Sequence, residues 1–218
     1  MAPQPLSRVK PNAAFQWGTG VLARYPNLCC IITEAISFGS QVEFNWSAIL
    51  VDLLKSDTRT GMAMYEALSG GESRRAALEG AAKSALSEAD FLLFKAVEKV
   101  LAPARRIRND FAHHIWGASK AVPKALLLID PKCLRQHEVE NVVGPGWPPQ
   151  VDRSQVMVWR EPDLNEARET IRDGLVILGI LSEGLAEKPL ARPAIGASAR
   201  QQLLSRQTIA QALRKMSV

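Results

Sequence analysis

The sequence is short of several residue types that usually announce a function. It contains three cysteines, three histidines and two tyrosines, and aromatic residues make up only 6% of it. Three cysteines cannot all pair. Cys29 and Cys30 are neighbours within an apolar helical stretch, where they read as small buried hydrophobes rather than as a redox pair. No apolar run approaches the ~20 residues that a membrane-spanning helix needs, and the opening MAPQPLSRVKP lacks the apolar core of a signal peptide. These absences lead us to expect a reduced, cytoplasmic protein with no membrane partner. A Walker loop, a dinucleotide-binding glycine fingerprint and a Gly-x-Ser-x-Gly elbow are also missing, so no cofactor is expected and nothing supports a serine hydrolase. Cys133 and His137, four apart, are weak zinc candidates without a CxxC or His-x3-His pair beside them, and no metal is expected.

What the chain does have is enough apolar material for a substantial core. Hydrophobic residues are 47% of its 218 positions, sufficient for one domain with an extension or for two small domains. Its 27 Lys and Arg against 22 Asp and Glu leave a net charge of +5, compatible with a polyanionic partner though not diagnostic of one.

The hydrophobic spacing is mostly helical. Residues 1–20, punctuated by proline and glycine, read as an irregular arm. Leu22, Leu28, Ile31, Ile32, Ala35 and Ile36 predict a helix that Gly39-Ser40 ends, and Val42, Trp46, Ile49, Leu50, Leu53 and Leu54 predict a second. Asp57 or Thr58 can cap a third, stopped by Gly70-Gly71, and an Ala-rich helix follows from Glu72 to Leu86. Ser87-x-x-Asp90 resembles a capping box before a helix carrying Leu93, Ala96, Val97 and Leu101, which Pro103 is expected to kink or break. The period then changes. ALLLI (125–129) and QVMVW (155–159) read as strands of an antiparallel hairpin near 124–160, joined by a Gly/Pro-rich loop containing Trp147. Asp163 with Glu166 marks the start of a long apolar helix to about Leu185. Residues 187–196 read as a linker, and Ser198–Met216 as one basic amphipathic helix, the 187–218 segment being a detachable tail to a 21–186 domain. Trp46 and Trp159 fall on amphipathic elements and are expected in the core, whereas Trp116 sits at the end of the charged stretch described next.

That stretch, RRIRNDFAHHIWG (105–117), gathers three arginines, an Asn-Asp pair and two of the three histidines. On a helix, Asn109 shares a face with His113 and Asp110 with His114. Arg108 and His113 lie about 140° apart around a straight helix. Histidine and arginine are what metal-free RNA cleavage needs. A neutral imidazole can take the proton of a 2′-hydroxyl, and a guanidinium can hold the phosphate as charge develops on it. Arg108-Asn109-Asp110-Phe111-Ala112-His113 resembles the signature of HEPN domains, an arginine followed by a polar residue and, four to six residues on, a histidine. The resemblance implies a small all-α bundle with the motif on a late helix. It also implies a metal-independent endoribonuclease that uses 2′-OH attack to leave a cyclic phosphate, and homodimerisation that joins two motifs in one composite cleft. By that resemblance Arg108 stabilises the phosphate, His113 is the acid/base and Asn109 orients one of them; a toxin–antitoxin or defence setting, with an antitoxin or regulatory partner, is also implied.

His114 fits the same spacing rule, so either histidine can be the working one, with Asp110 an accessory and Arg105 and Arg106 phosphate contacts. A second reading stays open beside the first. The arginines can be a solvated face paired with acids, the histidines can sit where a helix C-terminus favours a cation, and the protein can dimerise or bind nucleic acid without cutting it. The expectation carried forward is a mainly α, HEPN-like helical bundle with a β-hairpin extension and a C-terminal amphipathic helix.

Overall fold

The computed structural model describes residues 2–18, 20–133, 151–186 and 193–216. The Gly/Pro loop with Trp147, His137 of the weak zinc pair and the first part of the 187–196 linker lie outside the described residues. The elements in chain order are β1 (Gln4–Pro5), α1 (Leu6–Val9), β2 (Gln16–Trp17), a 3-10 turn (Leu22–Arg24), α2 (Pro26–Leu54), α3 (Thr58–Ala67), α4 (Gly70–Ala85) and α5 (Glu88–His113). There follow β3 (Ile115–Ala118), β4 (Ala125–Ile129), β5 (Val156–Arg160), α6 (Glu161–Ala186), α7 (Ala197–Ser205) and α8 (Gln207–Arg214). The protein is mainly helical, with a small antiparallel sheet, and no helix among the described residues is long and apolar enough to cross a membrane.

The chain divides into two compact units, 1–37 with 105–170 and 38–104 with 171–218. The first is built on the sheet, whose strand order is β1-β5-β4-β3-β2. The expected pairing of 125–129 with 156–160 is present, Leu127 facing Val158, but it forms the middle of five strands rather than a free hairpin. The N-terminal segment, read as irregular, supplies both sheet edges, Gln4 pairing with Val158 and Gln16 with Ala118. Two-residue edge strands carry too little periodicity to stand out in a sequence. Strand alternation sorts the side chains. Ala125, Leu127, Ile129, Val156 and Val158 bury one face against Leu6, Ala13, Val122 and Val151. Trp116, Leu126, Leu128, Met157 and Trp159 belong to the other face by register.

The second unit is helical. Val42, Trp46, Ile49, Leu53, Leu93, Phe94, Val97, Leu101, Ile177, Leu178 and Leu181 form its core. Trp46 meets Phe94 edge-on at 5.8 Å between ring centroids. Asp57 caps α3 by accepting from the Thr60 amide at 2.9 Å, and the Ser87 hydroxyl accepts from the Asp90 amide at 3.2 Å, as the sequence led us to expect.

Other expectations need correction. Gly39-Ser40 does not end a helix; α2 runs through it, because Gly39 is buried on the same stripe as Ala35 and Val42. Pro103 does not break α5. It lies on the exposed side, as does Lys99, whose carbonyl it leaves without an amide, while Leu101 and Ala104 beside it are buried. Gly70, at φ 85°, opens α4 instead of merely closing α3. The long helix begins at Glu161, two residues before the expected Asp163, whose carboxylate reaches back to the Arg160 amide at 2.9 Å. The tail is two helices broken at Arg206, and Ala199, Leu203, Ile209 and Ala212 are part of the helical core. Cys29 is half-buried and Cys30 exposed, so neither is the buried hydrophobe expected. Phe94→Ala removes a side chain that is 1% exposed, and denaturant unfolding is expected to show a loss of about 3–5 kcal/mol.

Candidate functional site

The last turns of α5 carry the charged stretch, and their geometry follows from which side of the helix is buried. Phe111 is 2% exposed and anchors the segment, its ring edge-on to Trp116 at 5.4 Å and to Trp159 at 4.9 Å. His113, about 200° further round, is exposed. The helix ends at His113, inside the charged stretch, and Ile115–Ala118 is a strand. Carbonyls in a last helical turn lack intrahelical donors. Here the His114 amide donates to the Asp110 carbonyl at 2.9 Å and the Trp116 indole to the Phe111 carbonyl at 3.2 Å. One tryptophan thus packs under the turn and satisfies its backbone.

The polar residues divide into two sets. In the first, the half-buried Arg108 donates from Nη1 to Asn109 Oδ1 at 3.1 Å, and its Nε is buried with no partner. Asn109 is a neutral amide, so it holds the guanidinium without cancelling its charge. In the second, His114 Nε2 lies 3.7 Å from Asp110 Oδ1. Burial lifts the Asp110 carboxyl above its ordinary range; His114 and Arg106 oppose this and the Asp130 charge adds to it. His113 makes no side-chain hydrogen bond or ion pair with the described residues, Arg108 included. Arg105 is half-buried and Arg106 exposed on the same segment. Of the two rival histidines, His114 is beside a carboxylate and His113 is open to solvent.

Among the described residues no group of three His, Cys, Asp or Glu side chains is placed to hold a metal ion. Burial, with Asp130 and Asp152 nearby, pushes the Cys133 thiol up, away from the thiolate a metal or a nucleophilic reaction would use. Sequence reasoning missed the role of Trp116. Its only signal was a tryptophan three residues beyond the motif, and Trp159, the other ring against Phe111, is 43 residues further on. No family model matches the chain, and no curated protein or solved structure does either.

Trp116→Phe keeps the ring packing but leaves the Phe111 carbonyl without its donor, and thermal or denaturant unfolding is expected to report a loss of about 1–3 kcal/mol. For Asp110, the folded state holds the carboxyl proton more tightly than the unfolded chain does. The ionised group therefore subtracts from stability above its folded pKa, and this penalty disappears as pH falls through that range. Asp110→Asn is expected to raise Tm at neutral pH and to leave it nearly unchanged in acid.

Proposed function

We propose that the end of α5 is a HEPN-like, metal-independent endoribonuclease site, completed when two copies of the chain bring their motifs together. The observation that carries this reading is the contrast between Arg108, held by Asn109 with its charge uncancelled, and His113, exposed and unengaged. A guanidinium so held is ready for a phosphate, and an imidazole so exposed is ready for a proton. Within one chain no hydrogen bond links the two, which favours an arrangement in which Arg108 of one copy works with His113 of another.

In this scheme neutral His113 takes the proton of a 2′-hydroxyl, and the 2′ oxygen attacks the adjacent phosphorus. The bond to the 5′ oxygen breaks as that oxygen acquires a proton from water, the hydroxide so formed being neutralised by the protonated His113, leaving a 2′,3′-cyclic phosphate and a 5′-hydroxyl. Arg108 stabilises the charge on the non-bridging oxygens, Asn109 keeps the guanidinium in place, and Arg105 and Arg106 attract the strand. Asp110 and His114 form a separate pair that takes no part in the chemistry.

RNA incubated with the protein in EDTA is expected to yield cyclic-phosphate ends. Arg108→Ala and His113→Ala should each slow this by about 10²–10⁴-fold without lowering Tm, whereas His114→Ala should keep it. Cleavage that survives both of the first two substitutions would assign the activity elsewhere. Binding of RNA by all variants with no cyclic phosphate from any would favour the second reading, a basic helix end that binds nucleic acid without cutting, for which the Arg105–Arg106–Arg108 cluster is the supporting observation.

A further inference from the structure

The sheet-containing unit carries a second cationic feature. A cleft of about 410 Å³ is lined by Arg24, Tyr25, Asn27, Leu28, Lys124 and Glu161. Lys124 immediately precedes β4, whose first residue Ala125 pairs with Arg160, while the far end of β4, Ile129, pairs with Ile115 beside His114. Five residues of strand separate the two ends, roughly 17 Å, so the cleft is distinct from the end of α5.

Two cations and one carboxylate line it, so its charge is net positive. Neither Arg24 nor Lys124 forms an ion pair with the described residues. The Arg24 guanidinium is steadied by a neutral oxygen instead: with its amide turned to face it, Gln16 Oε1 accepts from Nη1 at 2.6 Å and from Nη2 at 2.9 Å. An anion entering the cleft meets two cations that no ion pair engages. The cleft also receives the first turn of the 29-residue α2, where the Asn27 and Leu28 amides have no intrahelical acceptor. Glu161, on the same wall, disfavours a bare polyanion and suits hydroxyl donors such as those of a ribose. Tyr25 supplies an aromatic face on which a base can stack. The volume falls within the range of about 300–1,000 Å³ usual for small-molecule sites.

We propose that this cleft binds the phosphomonoester end of a nucleotide, with Arg24, Lys124 and the α2 amides on the phosphate and Glu161 on ribose hydroxyls. The same chemistry is presented by a free mononucleotide and by the 5′-phosphorylated end of an RNA. Calorimetric titration with AMP against adenosine, and with a 5′-phosphorylated against a 5′-hydroxyl 2′-O-methyl tetranucleotide, separates these sources. The 2′-O-methyl strand cannot be cut by 2′-OH attack, so binding succeeds or fails separately from the nuclease reading. Phosphate-dependent binding of AMP assigns the free nucleotide, and such binding of the tetranucleotide alone assigns the RNA end. In either case Arg24→Ala and Lys124→Gly should weaken it roughly 10- to 100-fold. The second substitution also relieves the positive φ of 62° at Lys124, so a folding defect does not account for its effect. Equal binding with and without the phosphate, no binding of any probe, or unchanged binding in Lys124→Gly would overturn the assignment.

Discussion

A single indole holds the end of α5 in place. Trp116 packs edge-on against Phe111 and donates from its ring nitrogen to the Phe111 carbonyl, so one side chain fixes both the apolar face and the open backbone of the last turn. Trp159, from β5, packs edge-on against the same Phe111 ring. Because the helix is pinned through Phe111, the residues a half-turn away must face out. The exposure of His113 is therefore a consequence of burying Phe111. The helix-to-strand change directly after His113 follows as well, since Ile115–Ala118 must pair with β4 to place Trp116 under the turn.

Charge is handled differently on the two sides of that helix end. Arg108 has a neutral partner and keeps its full charge, whereas His114 has a carboxylate, and that carboxylate is itself raised by burial. A neutral partner orients a cation without satisfying it, which suits a group meant for an incoming phosphate. Arg24, steadied by Gln16, repeats the pattern at the other end of the sheet. Several other arginines are paired with acids, as in Arg200 with Asp90, Arg206 with Asp173 and Arg168 with Glu34. Those pairs tie elements together, and the exposed ones, Arg206–Asp173 and Arg168–Glu34, add little stability alone.

Much of the helical content was legible because burial imposes its period on long segments: the stripes of α2, α5 and α6 are visible in the residues themselves. The central strands stood out as short apolar runs. What failed was local punctuation. Gly39 and Pro103 are breakers by propensity, but each lies in a helix whose neighbouring positions are buried, and packing outweighs a local penalty of about 1–3 kcal/mol. The edge strands were too short to show. At the candidate site, the residue types and their spacing could be read directly, but the separation of His114 from His113 could not. It depends on where the helix stops, which is set by an aromatic contact with residues far away in sequence. The cleft at Arg24 and Lys124 was invisible for the same reason, its two cations being a hundred positions apart.

The central claim is that Arg108 of one chain acts with His113 of another. Mixing Arg108→Ala and His113→Ala proteins, each inactive alone, tests it most directly, provided the chains are allowed to exchange partners. A composite site predicts that cyclic-phosphate formation returns in the mixture, because the mixed dimer holds one intact Arg–His pair across its interface. If the mixture stays as inactive as its components while size measurements show that mixed dimers have formed, the two side chains do not work across chains and the composite site is wrong.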